Sequence, residues 1–144
     1  MKNLFTFVII ILATSLSFGQ TEKTIVKTFN LQGNTSVILN LNGAVEIEEW
    51  SESTLRVHMN IKLNNSNVHM LKYLLTQGRY NLKLENTSAG FTMTSPGRNQ
   101  NVIINKNGDI LSETVTYTVF VPQNVTTEII NESVSEEILN TGEK

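Results

Sequence analysis

The sequence contains no cysteine. A disulfide framework, a thiolate metal site, a cysteine nucleophile and a lipidated cysteine are therefore all excluded. Other chemically useful residues are scarce, because the 144-residue chain has one tryptophan, two histidines and a single aspartate, Asp109. A protein of this composition must be held together by its backbone hydrogen bonds and its hydrophobic core.

Positive charge is also limited. Charged residues make up 17% of the chain, and the formal net charge is −2. Loss of Lys2 with the leader peptide described below changes the balance to 10 − 13 = −3. Nucleic-acid binding requires clustered Lys and Arg that displace counterions from the phosphates. We therefore expect no nucleic-acid partner.

The first nineteen residues have the pattern of a secretory signal peptide. Lys2 precedes an apolar core from Leu4 to Leu16, and Ser17-Phe18-Gly19 places small residues before a cleavage site ahead of Gln20. The alternative is an uncleaved membrane anchor, but the apolar core is shorter than the roughly 20 residues of a spanning helix. We therefore expect residues 1–19 to be removed and the mature chain to be exported to the periplasm, the cell surface or the medium, with no membrane span.

The clearest structural signal lies between Asn42 and Leu63. Residues Thr54 to Leu63 alternate strictly between apolar and polar side chains, which predicts a strand with one buried and one solvated face. A shorter strand is predicted from Ala44 to Trp50. The preceding Asn42-Gly43 pair favours a tight hairpin turn, so this strand and the one before it are expected to be antiparallel neighbours.

Further alternating runs predict a β-rich domain over residues 20–144. One helix is expected at about residues 66–77, packed on a sheet through Leu71, Leu74 and Leu75 and ended by Gly78. The predicted fold class is all-β, mainly antiparallel, sandwich-like or a short β-solenoid. The remaining predicted strands are Thr24–Leu31, Ser36–Leu41, Tyr80–Glu85, Phe91–Thr94, Val102–Asn105, Glu113–Val121, Val125–Ile130 and Val134–Leu139.

Several of these motifs resemble a known family. The segment Asn42-Gly43-x-Val45-x-Ile47-x-x-Trp50, an alternating strand after it and a later Val119-x-Val121-Pro122 resemble the putative adhesin family of bacterial envelope proteins. The signal peptide and the abundance of Asn, Thr, Ile and Lys are similar to exported proteins of Bacteroidetes-type bacteria. The resemblance implies short strands in solenoid turns or sandwich-like sheets, and an adhesin-like module that binds a protein or a surface polymer.

Few residues of the sequence have the type and spacing of a catalytic or metal-binding site. Glu46 and Glu48 share one face of a predicted strand, roughly 7 Å apart, and could serve a secreted carbohydrate-active enzyme. A solvated strand face is the interpretation we favour, so no enzymatic activity is expected. His58 and His69 lack metal-ligand spacing, and no catalytic, cofactor-binding or metal-binding residue is predicted. Trp50 is either a surface platform for a sugar or peptide or a packing residue.

The C-terminal segment from Val125 to Leu139 mixes apolar residues with acids. Glutamates on an edge strand keep it from pairing with other chains, which favours a complete, monomeric protein. The alternative is the first coil of a longer stack whose remainder a partner supplies. The acids concerned are Glu128, Glu132, Glu136 and Glu137.

Overall fold

The computed structural model describes residues 21–98, 103–104 and 107–130 of the chain. Some predictions lie outside these residues and remain predictions. They are the signal peptide, the strand at Val134–Leu139, two of the four residues of the strand at Val102–Asn105, and the acids Glu132, Glu136 and Glu137.

The described part of the chain forms two four-stranded sheets, one α-helix and one 3₁₀ turn. The helix is α1, Val68–Thr76, and the 3₁₀ turn is Pro96–Arg98. The strands in chain order are β1 Thr21–Asn30, β2 Ser36–Asn40, β3 Ala44–Trp50, β4 Thr54–Leu63, β5 Lys83–Thr87, β6 Gly90–Thr94, β7 Glu113–Pro122 and β8 Thr126–Ile129.

The first sheet, which we call sheet A, has the strand order β1-β4-β7-β3. In it β4 pairs antiparallel with β1 along all ten residues and with β7 on its other side, while β3 joins parallel to β7. The second, sheet B, has the order β5-β6-β2-β8. Its strand β2 is parallel to both of its neighbours, and β5 and β6 form an antiparallel pair. The predicted all-β class with one helix is confirmed, and both sheets are mixed.

The core lies between the two sheets. Every second residue of β4 is fully buried, as its alternation predicts. These side chains belong to the same hydrophobic cluster as Val37, Leu39 and Met93 of sheet B. Two sheets that share one core form a β-sandwich. The described residues therefore adopt the sandwich-like alternative of the prediction.

The expected hairpin between β2 and β3 is wrong. The two strands belong to different sheets, so Asn42-Gly43 carries the chain across the core. The type I′ hairpin turn that Asn-Gly favours needs a positive φ at both central residues, and here only Gly43 has one, at 151°. The backbone N–H of Asn42 instead donates to Ser95 Oγ at 3.0 Å. The crossing lets the apolar side chains of β2 and β3 enter the core from opposite sides.

The helix agrees with its prediction. The Asn67 side chain caps it by accepting a hydrogen bond from the Met70 amide at 3.1 Å, and Gly78 follows its end with a φ of 75°. Leu71 and Leu74 are buried and Leu75 packs against the core. In the part of the chain that the structure describes, no helix combines the length and apolarity needed to cross a bilayer.

Replacement of Gly43 tests how closely the crossing segment approaches β7. A Cβ at this position would lie 2.3 Å from the Val115 carbonyl oxygen and 2.9 Å from the Tyr117 ring. We expect Gly43→Ala to lower the free energy of unfolding by about 3 kcal/mol, because backbone strain and a steric clash add. Urea denaturation measures the change.

Gly33→Ala is the matched control for this experiment. Gly33 has a φ of 83°, but an added Cβ would meet no atom within 4 Å. Only the backbone penalty of about 1 kcal/mol should remain. Equal losses of unfolding free energy in the two variants would show that an added Cβ at Gly43 has no steric penalty against β7.

Candidate functional site

The outer face of sheet A points away from the core and carries aromatic, charged and hydroxyl side chains from all four of its strands. Cross-strand register places Thr28, Arg56, Phe120 and Glu48 in one row across β1, β4, β7 and β3. The neighbouring row contains Val26, His58, Thr118 and Glu46. Strand alternation therefore collects, on one face, residues that lie far apart in the chain.

Three side chains of these rows, those of Arg56, His58 and Phe120, pack together with Trp50 at the end of β3. The Arg56 guanidinium carbon lies 4.5 Å from the centroid of the Trp50 ring. The Phe120 ring is 5.7 Å from Trp50 and 4.8 Å from His58, measured between ring centroids. We refer to Trp50, Arg56, His58 and Phe120 as the aromatic group. The Trp50 indole is fixed by a hydrogen bond from Nε1 to the Thr54 carbonyl oxygen at 2.8 Å.

The aromatic group is held in place by contacts among its own side chains on the solvent side of the sheet. The Arg56 guanidinium covers the indole in a cation–π arrangement, and Arg56 Nε is buried with no hydrogen-bond partner in the described chain. All four side chains remain partly exposed. Trp50 is thus neither a core residue nor a freely exposed platform. It is a half-buried ring held in a fixed orientation on the solvent side of a sheet.

This arrangement has the composition of a binding surface. Trp and Arg are the residue types that most often dominate binding energy, and they do so where neighbouring groups help to exclude water. The rings offer apolar area, while the imidazole and the guanidinium carry hydrogen-bond donors. Because the side chains are already packed in place, little conformational entropy would be lost on binding.

The carboxylates Glu46 and Glu48 lie beside the aromatic group, on the face predicted from the sequence. Both are exposed, and neither lines any of three surface depressions of about 240 to 510 Å³ in the described part of the chain. A general acid for glycoside cleavage needs a desolvating pocket that raises its pKa. The structure supplies the shared strand face, and these three depressions lie elsewhere on the described residues.

The two histidines lie where the sequence predicted, His58 on the outer face of β4 and His69 exposed on α1. Within residues 21–98, 103–104 and 107–130, no group of three or more His, Cys, Asp or Glu side chains is arranged to hold a metal ion.

A second cluster was not predicted from the sequence. Arg79 Nε lies 3.1 Å and 3.2 Å from the two carboxylate oxygens of Glu113, and Arg98 forms a further ion pair with the same carboxylate. The Tyr80 hydroxyl donates to Glu113 Oε2 at 2.7 Å. The side chains of Arg79, Arg98 and Glu113 are only 13%, 10% and 9% exposed. We call Arg79, Tyr80, Arg98 and Glu113 the Glu113 cluster.

The Glu113 cluster joins the segment after α1, the 3₁₀ turn and the start of β7. Arg79 also donates to the Gly97 carbonyl oxygen at 3.3 Å, and Arg98 Nη2 to the Asn42 carbonyl oxygen at 3.3 Å. Because the donors of both arginines are directed to acceptors of the protein itself, this arrangement is that of a structural ion cluster. No spacing rule links Arg79 to Glu113, which is 34 residues later, so the sequence held no signal for it.

Protonation in the Glu113 cluster also fits a structural role. Burial would raise the pKa of the Glu113 carboxyl, but hydrogen bonds from Arg79 and Tyr80 and the charge of Arg98 outweigh it and lower that pKa. Burial, together with the hydrogen bond to Glu113, raises the pKa of the Tyr80 hydroxyl. At neutral pH the cluster therefore holds a charged carboxylate and a neutral phenol, and neither group is poised to transfer a proton.

The lowered pKa of Glu113 predicts acid-dependent stability. A carboxyl whose pKa is lower in the folded state stabilises the protein fully above its unfolded pKa of about 4.3, and that contribution is lost as pH falls through the folded value. We expect Glu113→Gln to lower the free energy of unfolding at pH 7 by about 3 kcal/mol, because two largely buried arginines lose their counter-charge. The loss should shrink below about pH 4.

Urea denaturation at neutral and acidic pH measures both effects. Glu85→Gln is the control, since Glu85 forms only an exposed ion pair with Lys83 and should change stability by about 0.5 kcal/mol or less. A Glu113→Gln loss that is the same at both pH values would contradict the assignment of a lowered pKa.

Comparison with protein-family models finds no match for this chain, and comparison with curated proteins finds none either. Among solved structures, the chain is similar to a crystal structure described as a putative cell adhesion protein from Clostridium sporogenes ATCC 15579. The sequence identity is 15% and the TM-score is 0.40. The match covers 76% of this chain and 46% of that protein, so this chain spans less than half of its length.

Proposed function

We propose that this protein is an exported, adhesin-like binding module without enzymatic activity, and that it binds a protein or a surface polymer through the outer face of sheet A. The observation that carries the proposal is the aromatic group of Trp50, Arg56, His58 and Phe120. A sheet face whose only role is to meet water does not need a tryptophan clamped between an arginine and a phenylalanine. Export rests on the signal peptide predicted at residues 1–19.

The shape and chemistry of the surface favour an extended ligand. The outer face is the solvent side of a four-stranded sheet, in which the aromatic group is flanked by the acids Glu46 and Glu48 and by the hydroxyl groups of Thr28 and Thr118. Apolar rings beside hydrogen-bonding groups suit ligands that alternate apolar and polar surface, as polysaccharides and extended peptides do. A site spread over four strands can engage several units of such a ligand at once, so that modest contacts add to a higher overall affinity.

Trp50 offers a direct test, because it is the only tryptophan in the sequence and its fluorescence reports on this surface alone. We expect titration with one of four probes, namely peptidoglycan fragments, lipopolysaccharide, mucin or collagen, to shift or quench the emission of the mature protein. Measured by isothermal titration calorimetry, which does not need the indole, Trp50→Ala should weaken binding of that probe at least about tenfold, because truncation of a central aromatic residue costs about 1.4 kcal/mol or more.

Tyr73→Ala is the matched control for the binding experiment. Tyr73 is an aromatic residue that is 58% exposed, but it lies on α1 rather than on the outer face of sheet A. Its replacement should leave the affinity unchanged. The proposal fails if no probe changes the Trp50 emission, or if the two replacements weaken binding equally.

A further inference from the structure

We propose that the two open edges of sheet A bind each other between copies of this chain, so that β1 of one molecule adds in parallel to β3 of the next. The surface involved is distinct from the outer face assigned above, because it consists of backbone edges. The partner is a second copy of the same protein. The monomer predicted from the sequence rests on acids of the C-terminal segment, whereas these edges belong to sheet A.

Both edges of sheet A have backbone amide and carbonyl groups that pair with no other described strand. β1 pairs only with β4, and β3 pairs only with β7, among the strands that the structure describes. Each therefore presents a row of amide and carbonyl groups that a further strand could join. The two strands are similar in length, ten residues in β1 and seven in β3.

The inner side chains at these edges are incompletely covered. Inner-face residues of the central strand β4 are fully buried, whereas Ile25 and Phe29 of β1 and Val45 and Ile47 of β3 are only partly buried against the core. A strand added to either edge would cover this apolar area. The hydrophobic effect would stabilise the contact in addition to the backbone hydrogen bonds.

The charged side chains of the two edges favour pairing between β1 and β3. β3 carries Glu46, Glu48 and Glu49, all exposed, and none of them takes part in an ion pair between described residues. β1 carries Lys23 and Lys27 on its inner face and one acid, Glu22, on its outer face, which leaves this strand with a net positive charge. Two β3 edges would repel each other, while β1 and β3 attract. Like-charge repulsion disfavours the symmetric β3 pairing and leaves the unlike edges as partners.

Strand direction and register agree with this pairing. Within sheet A, β1 and β3 run in the same direction, because β1 and β7 are both antiparallel to β4 and β3 is parallel to β7. A copy displaced sideways therefore brings β1 beside β3 in parallel. The register that sets Ile25 opposite Ile47 also sets Lys27 opposite Glu49 and keeps every inner side chain on the inner face.

One existing contact must be exchanged for this pairing. Lys27 Nζ donates to Asn81 Oδ1 at 3.3 Å, and this hydrogen bond is exposed. Exchanging it for an ion pair with Glu49 costs little, because both groups can be solvated during the change. Since the contact joins two different edges, it does not close into a dimer by itself and can continue to larger species.

Sedimentation velocity of the mature protein at increasing concentration tests the proposal. We expect the mass-average molar mass to rise with concentration beyond that of a dimer, and to rise less at high salt, where charges are screened. Lys27→Glu and Glu49→Lys should each weaken association about tenfold, because each places like charges opposite one another. Lys72→Glu, an exposed change on α1, should have no effect.

Mixing the two variants is the decisive measurement. Between copies of one variant, residues 27 and 49 have the same charge, two glutamates in Lys27→Glu and two lysines in Glu49→Lys. Between unlike variants a glutamate meets a lysine at both contacts. Unlike molecules can therefore pair where like molecules cannot. We expect the mixture to associate more strongly than either variant alone, which a misfolded variant could not do. A wild-type protein that stays monomeric at all concentrations, or a mixture no larger than its components, would overturn the proposal.

Discussion

The burial of one face of β4 is the constraint on which the rest of the structure depends. This strand pairs with a neighbour on each side, and its inner side chains are all withdrawn from water, so sheet A cannot form without a second layer above it. Sheet B supplies that layer, and the chain crosses at Gly43 because β2 belongs to sheet B and β3 to sheet A. The outer face of β4 is then free to carry Arg56 and His58 toward solvent.

Local patterns predicted the strands well where alternation was strict, because a strand with one wet face reveals its periodicity directly. They failed on the partners of β2 and β3. Asn42-Gly43 is compatible with a hairpin in the sequence. A hairpin is excluded only because β2 and β3 bury their apolar side chains in the core from opposite sides. Parallel pairing such as that of β2 with β8 leaves no turn between the strands, so no short segment of sequence records it.

The candidate site was partly visible in the sequence. Trp50, Glu46, Glu48 and His58 were identified one by one, because each is a notable residue on an alternating strand. That Phe120 and Arg56 would meet Trp50 depends on the register between β4, β7 and β3, which is a tertiary property. The Glu113 cluster was missed for the same reason, since its members come from irregular segments whose mutual positions are fixed only by the finished core.

The long-range pairing of β2 has a consequence for when the protein can fold. β2 is completed by β8, and Thr126 bonds to Thr35, 91 residues earlier in the chain. A sheet whose central strand must wait for the end of the sequence has high contact order and forms slowly. Translation would therefore deliver most of the chain before sheet B could close. A nascent chain of this topology stays open to threading through a narrow channel for as long as β8 is missing.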